Sequence, residues 1–256
     1  MNMSISVNVK DYICTITIDK PPANATSRED YIALRDTVFD IEERDDIKVV
    51  ILTGAGKIFM GGSDLGEICN FQDRKSCIEY MDTIRNAYLS VKYCKYPVIC
   101  AVNGAAIGAG FAFAACCDLI VAAEGAKFGL PEARLGIIAA DGFASMMIPE
   151  KVLRYLVFTG TSISAEEIKG YGGIHKVVPF DKVMEESEAL AKEIMSGKAR
   201  RTLILWKQCL NKNYDHQLEK KFDNNRLATA EYYGYHDFKE SAASFMEKRA
   251  PEYDEK

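Results

Sequence analysis

Histidine is scarce in this chain: three residues in 256, far apart and without an HExxH spacing. The eight cysteines include no CxxC pair. Structural and catalytic metal sites draw on closely spaced Cys and His ligands, so no metal is expected. Several cysteines stand inside apolar runs, which reads as reduced core thiols in a cytoplasmic protein. Long apolar runs are missing as well. The longest, residues 105–117, holds 13 residues, too few to span a bilayer. No basic segment followed by an apolar one opens the sequence, so a secretory signal is not expected. Positive charge is in deficit: the net charge is −5 and the pI is near 5.4. That balance argues against nucleic acid and anionic membrane as partners. One further absence bears on chemistry. The run Phe111-Ala112-Phe113-Ala114-Ala115, just after a glycine-rich turn, contains no acid.

What is present suffices for one large core with an appendage, since 48% of the residues are hydrophobic. Ile5, Val7 and Val9, then Cys14, Ile16 and Ile18, alternate with polar residues and predict a hairpin of half-buried strands. Pro21-Pro22 ends it. Ser27-Arg28-Glu29-Asp30 predicts a helix start, and Tyr31, Leu34, Val38 and Ile41 fall on one face of that helix. Strands are expected over residues 48–53, 97–103, 119–123 and 174–178, and helices over 77–91, 106–115, 150–158 and from Asp141 to about 148. Ser164 followed by Glu167 forms a capping box. Beyond Asp181 the pattern is helical to a charged tail. The expectation is an α/β core over residues 1–190 and a helical part over 191–256, with no low-complexity linker between them.

Two glycine-bearing segments carry the functional reading: Phe59-Met60-Gly61-Gly62-Ser63-Asp64-Leu65 and Asn103-Gly104-Ala105-Ala106-Ile107-Gly108-Ala109-Gly110. Each follows a β-branched apolar run. A strand that gives way to a glycine turn and a helix start leaves backbone N–H groups pointing outward. Two such ends brought together would hold a developing carbonyl oxyanion. Read alone, each is equally a tight turn or a place of close packing.

These segments, together with Ile51-Leu52-Thr53-Gly54, Tyr96-Pro97-Val98-Ile99, Cys117-Asp118-Leu119-Ile120, Phe128-Gly129-Leu130-Pro131-Glu132, Leu135-Gly136-Ile137 and Phe245-Met246-Glu247-Lys248-Arg249-Ala250-Pro251, resemble the crotonase (enoyl-CoA hydratase/isomerase) superfamily over essentially the whole chain. The resemblance implies an α/β spiral of ββα units with a helical C-terminal trimerisation region. It implies a homotrimer or dimer of trimers acting on an acyl-CoA thioester, with no permanently bound cofactor. By motif position the two oxyanion N–H groups fall at Ser63 and Ala109. The residues placed against substrate or CoA are Ala23, Gly62, Asp64, Leu65, Gly108, Ala112 and Lys248.

Hydratases of the family use two glutamates twenty residues apart; the second position is Glu132 and the first is Ala112, which transfers no proton. Classical hydration needs both a proton donor and an activated water, whereas moving a double bond needs one base. The resemblance therefore points to an enoyl-CoA isomerase with Glu132 as base, whose pKa an apolar pocket would raise. Glu132 alone would read as a surface glutamate. Asp141 is the second acid, in a neighbourhood where hydrolases, dienoyl isomerases and dehalogenases of the superfamily place a working aspartate. It reads equally well as the N-cap of the next helix. Hydrolysis, decarboxylation or dehalogenation through Asp141, hydration without the first glutamate, and a non-catalytic CoA-ester-binding scaffold stay open. His236 reads as a solvent-facing residue. Tyr232, Tyr233 and Tyr235 read as packing at a subunit contact or as pocket wall. Lys248 and Arg249 read as phosphate contacts or as a solvated tail. Met60, Phe71, Phe111, Phe113, Phe143, Met146 and Met147 read as acyl pocket or ordinary core.

Overall fold

The computed structural model describes residues 4–69, 71–214 and 217–254; the first three residues and the last two of the charged tail lie outside them. Alternating apolar residues build the first hairpin, in which β1 (Ser4–Lys10) runs antiparallel to β2 (Ile13–Asp19). Helix α1 (Arg28–Glu42) begins at the capping box, where the Asp30 N–H donates to Ser27 Oγ and the Ser27 N–H to the Asp30 carboxylate. Tyr31, Leu34, Val38 and Ile41 are all buried, as their spacing predicts.

A repeating unit follows. Strands β3 (Val49–Gly54) and β4 (Ile58–Met60) lead to α2 (Leu65–Cys69) and α3 (Arg74–Tyr93). Strands β5 (Val98–Val102) and β6 (Ala105–Ile107) lead to α4 (Ala109–Cys116). Strands β7 (Leu119–Ala123) and β8 (Lys127–Gly129) lead to a 3-10 helix, Glu132–Leu135. The first strand of each unit joins one sheet, of order β1-β2-β3-β5-β7-β10, and the second joins another, of order β4-β6-β8-β9. From β2 onward the larger sheet is parallel, and every residue of β3 and β5 is buried, as a sheet covered on both faces requires. This alternation between two sheets is the spiral of ββα units. The chain continues through α5 (Asp141–Ala144), α6 (Glu150–Thr159), β9 (Ser162–Ser164), α7 (Ala165–Gly170), β10 (Lys176–Val178) and helices α8 (Val183–Met195), α9 (Arg200–Asn213), α10 (Leu218–Tyr232) and α11 (His236–Glu247).

Two expectations need correction, and one feature went unread. The second sheet was not legible in the sequence: its strands have three residues each, too few for a period of two to show. The helix expected over 106–115 is a strand through Ile107, and α4 starts at Ala109 after Gly108 takes a positive φ of 54°. Asp141 is not a cap. Ala140, with φ 67°, precedes the helix without a capping side chain, and α5 ends at Ala144.

One hydrophobic cluster runs through the molecule and includes Leu218, Phe222, Ala230 and Phe238 of the last two helices beside Ile51, Val98 and Phe113 of the α/β part. Helix α10 packs on α3 and α5, and α11 on α2 and the 3-10 helix. Helix α9 leaves Leu205, Trp206 and Leu210 exposed. Among the described residues, no helix is long and apolar enough to cross a membrane.

Candidate active site

The isolated bridge between Thr26 and Ser63 fixes the first turn. Thr26 N–H donates to the Gly62 carbonyl at 2.8 Å, and Asp64 N–H donates to the Thr26 carbonyl at 2.9 Å. With the bonds of residues 62 and 64 directed to one side, the Ser63 N–H faces the other. Gly62 has φ 103°, a backbone that L side chains rarely adopt. Gly61 N–H is tied to the Ala23 carbonyl at 2.9 Å, so Ala23 anchors this turn from behind.

The second turn is the start of α4. Gly108 N–H donates to the Gly129 carbonyl at 2.9 Å, and the first intrahelical bond runs from Ala112 N–H to the Gly108 carbonyl at 3.1 Å. The Ala109 N–H therefore lies in the opening turn of the helix, where amides have no intrahelical acceptor and the dipole is positive. Ser63 and Ala109 line one cavity of about 150 Å3, together with Gly62, Leu65 and Gly108.

Glu132 opens the 3-10 helix on the wall of the same cavity. Its Oε1 lies so close to Gly108 that a Cβ there would sit 2.6 Å from it, and the positive φ of 54° adds strain for any other residue, so a side chain there would have to displace the carboxyl. Its Oε2 is buried without a hydrogen-bond partner. Burial pushes its pKa up from 4.5 to about 8; its own backbone N–H lowers it somewhat and the Asp141 carboxylate adds to the rise. Among the described residues, Glu132 is the sole carboxylate lining this cavity. A desolvated carboxyl beside two outward amides can move a proton next to a carbonyl whose oxygen gains charge.

The other predicted residues are placed differently. Ala112 is fully buried inside α4 and does not line the cavity. Asp64 accepts from the Gly66 N–H through Oδ1 at 2.9 Å. Asp141 lines a separate, outer groove of about 600 Å3, which Glu132 also borders, and its Oδ1 accepts from Asn225 Nδ2 of α10. Lys248 is exposed, in the left-handed turn that ends α11. Arg249 is paired with Glu240 and Glu247, which occupies it in this chain. His236 is 58% exposed, with Nδ1 3.3 Å from the Asp237 carboxylate. Tyr233 donates to the Phe71 carbonyl at 2.6 Å, Tyr232 borders the outer groove and Tyr235 is exposed. Of the residues read as pocket or core, Phe71 lines the cavity, while Met60, Phe111, Phe113 and Phe143 are buried in the core.

Sequence reasoning missed most of the cavity wall. Tyr80, Met81, Ile84 and Tyr88 come from one face of α3, Ile68 from α2, and Phe222, Thr229 and Phe245 from the last two helices. The sequence predicts a helix over 77–91 without marking its buried face, and periodicity does not say whether such a face meets a sheet or a cavity. Thr229 also fastens the loop after Glu132, donating to the Ile138 carbonyl at 2.9 Å and accepting from the Ile138 N–H at 3.0 Å.

A model of the enoyl-CoA hydratase/isomerase family matches residues 8–256. The chain is 31% identical over 201 residues to a (7aS)-7a-methyl-1,5-dioxo-2,3,5,6,7,7a-hexahydro-1H-indene-carboxyl-CoA hydrolase from Rhodococcus jostii, covering 78% of each chain. It is 29% identical to carnitinyl-CoA dehydratase from Salmonella typhi, covering 98% of each. The crystal structure of carnitinyl-CoA hydratase from Mycobacterium avium superposes with a TM-score of 0.84 at 30% identity, covering 100% of both chains. The profile match over nearly the whole length, the relatives and the shared spiral together make this chain a member of the enoyl-CoA hydratase/isomerase (crotonase) family.

Proposed function

We propose that this acyl-CoA enzyme moves a double bond, converting a 3-enoyl-CoA to a 2-enoyl-CoA with Glu132 as the one acid–base group. The observation that carries the reading is the isolation of Glu132: one buried carboxyl on a cavity wall that also holds Ser63 and Ala109, with an alanine at position 112. In the step proposed, ionised Glu132 takes a proton from C2. The electron pair moves onto the thioester oxygen, toward the Ser63 and Ala109 N–H groups. The carboxylic acid then returns the proton to C4, and the double bond comes to rest between C2 and C3. Atoms and charge balance without water. The helix start at Ala109 favours the enolate through its dipole. In the same reading Gly62, Leu65 and Gly108 border the thioester, Ala23 and Asp64 hold the first turn, and Lys248 meets CoA phosphate.

The test is a panel of 3-enoyl-CoA thioesters, read by C2 proton exchange in heavy water and by product identification. Glu132→Gln is expected to lose turnover by about 10²–10⁴-fold with CoA-ester binding retained; full activity in that variant overturns the assignment. Thioester hydrolysis is the second reading. It is favoured by the outer groove that Glu132 and Asp141 share, a route for water, and by the hydrolase name of the Rhodococcus relative. Release of free CoA thiol from saturated acyl-CoA would favour it over isomerisation.

We also propose that residues 191–256 serve assembly into a homotrimer or dimer of trimers, supported by the exposed apolar face of α9. Light scattering at three or six chain masses is expected; a monomer at micromolar concentration overturns it.

A further inference from the structure

Behind the first turn of the cavity lie four hydroxyl side chains: Thr26, Tyr31, Ser63 and Tyr80. Tyr31 Oη and Ser63 Oγ share a hydrogen bond of 2.7 Å. Thr26 is bridged to Ser63 through the backbone and is fully buried, and its Oγ1 lies near the Tyr31 hydroxyl but outside hydrogen-bonding geometry. Tyr80 is 1% exposed, its ring stands edge-on to Tyr31 at 6.4 Å, and its hydroxyl also has no partner. That hydroxyl lies near Ser63 Oγ but outside hydrogen-bonding geometry. Two orphaned hydroxyls in one cluster are unusual, because buried polar groups are nearly always satisfied. Here the cluster abuts a cavity: Ser63 and Tyr80 are both wall residues.

Resting on the proposed acyl-CoA reading, we propose that this cluster is a polar subsite for a neutral oxygen on the acyl group, so that the substrates are short oxygenated acyl-CoA thioesters. Beside the cluster the wall is apolar, formed by Ile68, Phe71, Met81 and Ile84, so an acyl oxygen placed against these residues would be desolvated without reward. The size fits a short chain. A cavity of about 150 Å3 is that of one known to hold benzene, six carbon atoms. Charge selects a neutral group. The Asp64 and Glu67 carboxylates act on the Tyr80 hydroxyl and would repel an anionic substituent. Among the described residues, the one cation packed on that ring, the Arg28 guanidinium 5.6 Å from its centroid, spans to the Ser76 carbonyl at 3.4 Å. A ketone or alcohol oxygen accepting from Tyr80 would satisfy the orphan at no electrostatic cost.

The test is calorimetric binding of matched pairs, pentanoyl-CoA against 4-oxopentanoyl-CoA and hexanoyl-CoA against 5-oxohexanoyl-CoA. At least one oxo ligand is expected to bind about tenfold tighter than its parent. In Tyr80→Phe that preference vanishes, while the parent thioester binds within twofold of the original protein. Tyr31→Phe, which keeps the ring stacked on Phe113 and frees Ser63 Oγ, is the second variant and is expected to reduce the preference with folding intact. Equal loss for oxo and parent ligands means that the cluster holds only water or structure, and overturns the proposal. So does the lack of any oxo preference in the original protein. C2 proton exchange separates the two readings: with the unsubstituted thioesters it is present in the original protein and lost in Glu132→Gln if the isomerase reading holds, whatever the oxo ligands do.

Discussion

Glu132→Gln removes the ionisable group and keeps its shape, so it isolates what burial of this carboxyl costs. Each tenfold change in proton affinity corresponds to about 1.4 kcal/mol. A rise from 4.5 in the unfolded chain to about 8 in the fold corresponds to roughly 5 kcal/mol between the protonated and ionised native states. The sign follows from proton counts. Below pH 4.5 both folded and unfolded chains carry the proton, and the two proteins have similar stability. Between 4.5 and 8 the unfolded chain has released the proton and the fold has not, so the original protein loses stability with each pH unit while the glutamine variant does not. Above 8 both states are ionised and the gap stops growing. At pH 8.5 Glu132→Gln is therefore expected to be the more stable by up to ~5 kcal/mol. At roughly 2–4 °C per kcal/mol for a chain of this size, that is on the order of 10 °C in Tm. The assay is thermal unfolding of both proteins from pH 4.5 to 9 at one fixed concentration, so that any assembly contributes equally. A Tm difference that stays flat across that range refutes the argument that the carboxyl is desolvated, and with it the rise in its pKa.

Three further outcomes follow from the same geometry. The kcat/KM for proton abstraction is expected to rise about tenfold per pH unit below 8 and to level above it, because the base must be ionised in the free enzyme; a profile levelling near pH 5 contradicts this. Gly108→Ala drives a methyl group to 2.6 Å from Glu132 Oε1 and is expected to lower turnover by at least 10²-fold, measured by C2 exchange, because the carboxyl must shift. Asp141→Asn leaves exchange within about threefold, since Asp141 lies on the outer groove. It also moves the kinetic pKa of Glu132 downward by removing a like charge, which a pH–rate profile reads directly.

Much of the larger sheet was legible because its strands are long enough to show a pattern. Val49-Val50-Ile51-Leu52 is a continuous apolar run, and such a run signals a strand covered on both faces. The second sheet was not legible, since three residues between glycines carry no period. The two glycine turns announced outward amides through residue type alone. For Asp141 the sequence left a working acid and a helix cap equally open; the cap reading fails, because the left-handed Ala140 precedes the helix and Asn225 donates to the carboxylate. The helix over 77–91 was legible, but not that its residues 80, 81, 84 and 88 form a cavity wall.

By itself the sequence determined the strands of the larger sheet, most of the helices, the glycine turns, the missing acid at 112 and the family. These are local properties, set by residue type and short-range spacing. Only the tertiary structure decided that residues 63, 109 and 132 share one cavity, that Glu132 is desolvated there, and that Phe222, Thr229 and Phe245 close it from far along the chain. Proximity and dielectric depend on chain segments separated by up to a hundred residues or more, and no local pattern encodes them.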